Sequence, residues 1–310
     1  MEHRSLGRSG IEVSRLILGC GNFGGIGSAP AFFGRGESEE QAVAIMDAAW
    51  AAGITTFDTA DAYGGGRSEA FVGNWIRSRG VRPVLTTKTF NPMEEGADRG
   101  LSRERIRRQL DSSLRRLGVE RVDLYLSHAM DPATPLEETV AALDELQHEG
   151  TIGAWGGSNV DAGWVERARP AWVQNSYSLL DREDEEGILP ICAREGLGYT
   201  PFSPLAGGWL TGKYRRGEEP PADSRMTLRP EPYEHLRTDR TFAALETFEE
   251  LAGERETSPA ALALAWLLAQ PQVTAVVVGP RRPEQLHPAL DALELRLSPP
   301  EIKSIAAVFA

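Results

Sequence analysis

Residues 122–159 read VDLYLSHAMDPATPLEETVAALDELQHEGTIGAWGGSN. Leu124–His128 is a short apolar run of strand length that ends on polar residues. Pro135–Glu149 carries Leu136, Val140, Leu143 and Leu146 on one stripe at helical spacing, with Glu137, Glu138, Asp144 and Glu145 turned outward. Thr134 before Pro135 marks a helix start. Ile152–Ser158 is a second strand-length run. Strand, helix and strand follow one another here without a break.

The same alternation extends in both directions. Strand-length runs recur at Leu16–Gly19, Thr55–Asp58, Val84–Lys88, Trp172–Asn175, Gly198–Phe202 and Val273–Val278. Helical patterns lie between them at Ser38–Ala52, Ser68–Arg79, Ser102–Leu117, Ala162–Ala168, Glu183–Arg194, Ser258–Ala269 and Pro283–Leu293. Ser38 with Gln41, and Ser68 with Phe71, are expected caps. Eight strands alternating with eight helices favour a parallel sheet closed into an α/β (β/α)8 barrel. A short hairpin, Arg4 to Leu6 and Ile11 to Val13, is expected before it. Ser203 to Arg240 breaks the rhythm with Pro204, Pro220, Pro221, Pro230 and Pro232, and reads as a long loop after strand seven that covers the barrel mouth.

No composition break marks a linker, so residues 1–310 read as a single barrel domain. The net charge of −12 argues against nucleic acid, which needs a basic footprint. The arginines of Arg103–Arg116 interleave with Ile106, Leu110, Leu114 and Leu117 and read as a solvated helix face. Cys20 and Cys192 match neither a disulfide scaffold nor a zinc site, and no metal is expected. No secretory apolar segment follows Met1, and no apolar run approaches the roughly 20 residues of a membrane span. A cytoplasmic protein with no membrane partner is expected.

Gly19-Cys20-Gly21-Asn22-Phe23-Gly24 spells GxGxxG after a strand, the fingerprint of a doubly wound dinucleotide fold. That motif must open into a helix, yet Gly25, Gly27, Pro30, Phe32 and Phe33 delay the helix to about Ser38. A glycine-rich loop at a barrel mouth fits better.

Asp58, Lys88 and His128 end strands two, three and four, and Tyr63 follows Asp58 on one loop, with Gly64–Gly66 allowing a sharp turn. C-terminal strand ends share one face of a parallel barrel. The four form a set for protonating a carbonyl oxygen. Tyrosine is a poor donor at neutral pH unless a cation stabilises its phenolate. Lys88 would be that cation, Asp58 would hold it, and His128 would orient the substrate oxygen. The plainer reading is a rim ion pair and a core histidine. A Schiff-base aldolase using Lys88 is a third reading.

The chain resembles the aldo-keto reductase family over nearly all its length. The motifs that carry this are GITTFDTADAYGGGRSE, VLTTK, LGVERVDLYLSHAMDPATPLEETVAALDELQHEG, GGSN, VQNSYSLLDR, TPFSPLAGGWLTGKY and VVVGPRRPEQL. The resemblance implies a (β/α)8 barrel, hydride transfer between a nicotinamide cofactor and a small-molecule carbonyl, and a catalytic tetrad of Asp58, Tyr63, Lys88 and His128. It places Ser158, Asn159 and Gln174 at the nicotinamide carboxamide and Phe202 against its ring. Gly21, Asn22 and Asp58 join the cofactor set. Ser203, Pro204, Leu205, Gly207 and Leu210 would lie under the pyrophosphate, with Lys213 close by. Gly279, Arg281, Arg282 and Gln285 would surround an adenosine 2′-phosphate, which tips the cofactor from NADH toward NADPH. His287, Pro288 and Ala289 depart from the acidic residue and asparagine that bind adenine in many members. Gly157, where a larger residue is common, would leave space near the nicotinamide. Phe23, Phe32, Phe33 and Met130 would wall an apolar substrate pocket suited to aldehydes and ketones. The family also contains potassium-channel β subunits, so an NADPH-binding regulatory or redox-sensor subunit is the alternative.

Overall fold

A computed structural model describes residues Met1–Ala310. Strands β1 (His3–Ser5) and β2 (Glu12–Ser14) pair antiparallel. Eight parallel strands follow: β3 (Leu16–Gly19), β4 (Thr56–Asp58), β5 (Val84–Thr89), β6 (Val122–Ser127), β7 (Ile152–Ser158), β8 (Trp172–Gln174), β9 (Gly198–Tyr199) and β10 (Val276–Val278). Their order is β10-β3-β4-β5-β6-β7-β8-β9. Backbone bonds from Thr274 N to Tyr199 O at 2.8 Å and from Val277 N to Pro201 O at 2.9 Å join the two ends. The sheet is therefore a closed (β/α)8 barrel.

The helices are α1 (Glu39–Ala51), α2 (Arg67–Arg79), α3 (Arg103–Leu117), α4 (Leu136–His148), α5 (Ala162–Ala168), α6 (Ile188–Glu195), α7 (Arg225–Leu228), α8 (Asp239–Glu254), α9 (Pro259–Leu268), α10 (His287–Glu294) and α11 (Pro299–Ala307). Ser38 and Gln41 form the expected reciprocal cap on α1. Ser68 does not cap α2. That helix starts at Arg67 after Gly66 in the left-handed region, and the Ser68 hydroxyl is spent on Cys20 O at 2.9 Å and Thr59 Oγ1 at 2.8 Å. Thr134 likewise bonds Asp131 Oδ2 at 2.7 Å rather than capping α4. Helices α8 and α11 lie outside the expected pattern.

Side chains alternate along the strands, so the barrel has an inner and an outer core. On β6, Leu124 and Leu126 point inward to pack with Ile17, Ala154, Trp172 and Val277, while Tyr125 joins the larger layer under the helices. Leu6 and Val13 of the hairpin region complete the inner cluster. They plug the end where the strands begin. Gly7 sits there at φ +51°, and a Cβ would stand 2.0 Å from Gly198 N, so only glycine fits. With that end filled, the rim at the strand C-termini is the face left for a site.

The segment from Ser203 to Arg240 is more ordered than a structureless loop. It contains the turn Ala206–Thr211, helix α7 and the turn Glu234–Leu236. It is tied across the rim to the glycine-rich loop: Arg225 Nη2 donates to Asn22 Oδ1 at 3.0 Å and Arg229 Nη1 to Ile26 O at 2.9 Å.

Candidate active site

Asp58 is the last residue of β4, Lys88 lies one residue before the end of β5, and His128 immediately follows β6. Asp58 is opposite Thr86, and Lys88 opposite Leu126. The two-residue period of a strand therefore puts Asp58 and Lys88 on the same inward face. Tyr63 is carried by the turn after β4, where Gly64 (φ +59°) and Gly65 (φ +66°) reverse the chain. A Cβ on Gly64 would stand 2.7 Å from the Gly24 backbone, so the glycine-rich loop can pack against this turn only as written.

The four side chains meet. Lys88 is wholly buried and its ammonium is shared among Asp58 Oδ1, Thr59 O at 2.9 Å and the Tyr63 hydroxyl at 3.3 Å. His128 Nε2 lies 3.4 Å from the same hydroxyl. Gln174, at the end of β8, reaches across to donate to Asp58 Oδ2 at 2.9 Å. Both carboxylate oxygens are thus partnered in a dry site.

The electrostatics correct one expectation. Burial is the largest influence on Tyr63 and pushes its phenol up; Lys88 pulls it down but Asp58 offsets part of that, and the net direction is up. Burial alone would lower Lys88, but Asp58 and Tyr63 outweigh it, so the ammonium is held charged. Burial, then the Lys88 charge, pushes His128 well below the ordinary histidine range. The resting site holds a neutral phenol, a cation and a neutral imidazole.

A second cluster lies where the segment after β9 meets the start of α10. Lys213 is lowered by burial and then by the charges of Arg225 and Arg281. Arg225 is lowered too, by burial first, with Arg229 and Arg281 contributing. The buried acid here is Glu37, whose Oε1 accepts from Arg281 Nε at 2.5 Å while its Oε2 has no partner. Arg281 is thus already engaged, also donating to Asp223 O at 2.5 Å. Arg282 is exposed, and Gln285 Oε1 accepts from Arg281 N at 2.7 Å. Three crowded cations against one carboxylate leave positive charge unspent.

A sequence model described as the Aldo/keto reductase family matches residues 15–310. The chain belongs to the aldo/keto reductase family. It is 36% identical to the uncharacterized oxidoreductase YrpG of Bacillus subtilis, covering 100% of this chain and 96% of that one. It is 35% identical to a probable voltage-gated potassium channel subunit beta of Oryza sativa subsp. japonica, over 99% and 96% of the two chains. It is 30% identical to versiconal hemiacetal acetate reductase of Aspergillus parasiticus, over 98% and 95%. Aldo/keto reductases are oxidoreductases that use nicotinamide cofactors.

Against that family framework, several expected residues stand differently. Asn159 adopts φ +53°, a region asparagine tolerates, and its amide donates to His128 O at 2.9 Å and Ser158 Oγ at 3.2 Å. Gln174 donates one amide hydrogen to Asp58 Oδ2 and keeps its carbonyl free. Ser203 takes φ +52° and its hydroxyl meets Tyr233 at 2.8 Å. Gly207 lies under the Tyr233 ring, where a Cβ would come to 2.6 Å. Phe202 and Leu205 are half-buried and Pro204 is buried, while Gly279 is exposed near Gly19. Leu210 and Phe23 are 0% exposed and have no surface to offer a ligand; both pack in the core. Gly157 opens no room at the mouth, because Trp164 of α5 fills the space 2.5 Å from where a Cβ would be. Ala289 is likewise core.

On the outer rim, Gly21 lies 3.6 Å, measured from an added Cβ, from the Tyr63 ring. Phe32 and Phe33 are half-buried and Met130 is 38% exposed. The wall is not wholly apolar, since the Arg229 guanidinium lies 5.3 Å from the Phe32 ring centroid. Glu37, Asn91 and Arg105 were not singled out from sequence as site residues.

Proposed function

We propose that this chain is a cytoplasmic NADPH-dependent reductase that converts an aldehyde or ketone to an alcohol, with residues 1–310 as one catalytic domain and Tyr63 as general acid. The observation that carries the reading is the convergence of Lys88 Nζ and His128 Nε2, at 3.3 and 3.4 Å, on the Tyr63 hydroxyl. Lys88 can only donate, so the phenol oxygen accepts from it and its own hydrogen is free for a carbonyl oxygen. As that proton leaves, the charge growing on Tyr63 is met by an ammonium already in place, with no solvent to reorganise. Asp58 and Gln174 keep the ammonium aimed. The raised phenol pKa keeps Tyr63 in its acid form at rest.

The residues present fit a dinucleotide. Unspent positive charge at Lys213, Arg225 and Arg281 suits its phosphates, with Ser203, Leu205 and Gly207 beside them and Asn22 held by Arg225. Ser158, Asn159 and the free carbonyl of Gln174 suit the carboxamide. When bound, the nicotinamide supplies the hydride. Arg282, exposed and outside any ion pair, is the better candidate for a 2′-phosphate than Arg281, which Glu37 already holds. Phe32, Phe33 and Met130 favour aromatic or aliphatic carbonyl substrates. A cytoplasmic setting is supported by two buried, unpaired cysteines, and no helix is long and apolar enough to cross a membrane.

The cofactor assignment is tested by comparing NADPH and NADH affinity in Arg282→Ala and Arg281→Ala. Loss of one phosphate contact of about 1.4 kcal/mol narrows the preference about tenfold. The larger effect is expected at Arg282, and an unchanged preference in both variants would mean the 2′-phosphate site lies elsewhere. The similarity to a rice chain named as a potassium channel subunit beta favours a second reading, a regulatory subunit with slow turnover. Rapid reduction of simple aldehydes would decide against it.

A further inference from the structure

Arg105, read from sequence as one of a row of solvated arginines, is 3% exposed. Its guanidinium turns in from α3 and donates to Thr89 Oγ1 at 2.9 Å, Gly100 O at 3.0 Å and Asn91 O at 2.7 Å. Thr89 ends β5 beside Lys88, so the buried cation pins the chain that leaves the catalytic strand. The main chain of Asn91 is fixed as a result, and its side-chain nitrogen lies 3.3 Å from His128 Nδ1. With the amide in this orientation its nitrogen donates and Nδ1 accepts. In a neutral ring the proton then sits on Nε2, the atom facing Tyr63.

We propose that Asn91 is a positioning residue: it selects the His128 tautomer that presents an Nε2–H to the reacting oxygen, and Arg105 holds Asn91 in register. This rests on the roles given to Tyr63 and His128 above. The choice has a chemical consequence. With the proton on Nδ1, Nε2 becomes an acceptor, and the Tyr63 hydroxyl would donate into the imidazole instead of toward a carbonyl. With the proton on Nε2, both His128 and Lys88 donate toward the Tyr63 oxygen and leave its hydrogen free. His128 is held neutral by its surroundings, so the tautomer is the variable that a neighbour must set. Asn91 supplies the direction and the Arg105 anchor supplies the rigidity, the part that outer partners play for metal-bound imidazoles.

The test reads the ring directly. Protein labelled with 15N-histidine, free of substrate and cofactor, is examined near pH 7 by long-range 1H–15N correlation, with His128→Gln assigning the signal among the five histidines. The parent protein is expected to show protonated Nε2 and bare Nδ1. In Asn91→Asp, a carboxylate can only accept, so Nδ1 gains a proton, and aldehyde turnover is expected to fall about 10- to 100-fold, the range seen when a metal-bound imidazole loses its outer partner. Asn91→Leu, which neither donates nor accepts, is expected to give a mixture of tautomers. The inference is overturned if the parent ring carries its proton on Nδ1, or if both variants keep the parent Nε2–H signal. The tautomer is read on the parent protein, and the His128→Gln spectrum serves only to assign its signal. Because the ring signal is independent of turnover, it separates failure of this inference from failure of the carbonyl-reductase reading, which Tyr63→Phe tests on its own.

Discussion

Tyr63→Phe is expected to lower aldehyde reduction by about 10³-fold while cofactor affinity stays close to that of the parent. The substitution removes one oxygen from a ring that otherwise packs unchanged against His128, with centroids 5.4 Å apart. What is lost is the proton and the site where charge collects as it leaves, an effect on the order of 10²- to 10⁴-fold for a positioned acid. The pH dependence has a definite sign. Reduction uses the protonated phenol, and burial raises its pKa above the ordinary value, so turnover should hold through neutral pH and fall only as pH rises past about 10. His128 adds no neutral-range step, because it is already uncharged there. Turnover in the phenylalanine variant equal to the parent's would remove Tyr63 from the chemistry.

The second large effect is on stability. Lys88→Met removes the one full positive charge on Asp58, whose side chain is 4% exposed and retains Gln174 alone as a side-chain partner. Breaking a buried ion pair from one side costs about 3–5 kcal/mol, because the remaining charge is stranded without solvent. In a chain of this size that corresponds to a drop in thermal midpoint on the order of 10 °C. The double variant Lys88→Met with Asp58→Asn removes both charges, and should regain most of that stability but none of the turnover. This pattern separates a catalytic pair from one that merely holds the fold. A Lys88→Met protein as stable as the parent, or a double variant that reduces aldehydes, would contradict it. The linkage has the same sense: the raised Lys88 pKa contributes stability at pH values below the unfolded lysine value near 10.4, and that contribution is lost as pH climbs through the folded value.

The barrel was legible where one face of an element is continuously apolar. The stripe on α4 is an example, with Leu143 and Leu146 buried and Leu136 and Val140 packed against the core. Helix α8 went unread although its core-facing Leu245, Phe248 and Ala252 stand at helical spacing, because it follows the proline-rich stretch and adds a helix to the strand–helix alternation. Strand ends were legible to within a few residues. That precision sufficed for Asp58, Lys88 and His128, since each is fixed by the end of an apolar run.

The supporting residues were not legible, and the reason is contact distance along the chain. Arg225 meets Asn22 across 203 positions, and Arg281 meets Glu37 across 244. No local pattern can announce such pairs. Arg105 was misread because helical spacing marks which residues interrupt an apolar stripe. It does not reveal that one arginine folds inward to satisfy four acceptors, on Thr89, Asn91, Asp98 and Gly100. The sign of the Tyr63 shift was missed for a related reason: a neighbouring cation is visible in sequence, but the burial that opposes it is not.

Delivery of a hydride and a proton to a carbonyl is the proposed work of this site. The direct measurement is reduction of a simple aldehyde with NADPH carrying deuterium at the transferable nicotinamide position, followed by mass spectrometry of the alcohol. One deuterium is expected on the carbinol carbon with the parent protein, and almost no labelled alcohol with Tyr63→Phe. Tight cofactor binding with no labelled alcohol from any aldehyde in a broad panel would contradict it.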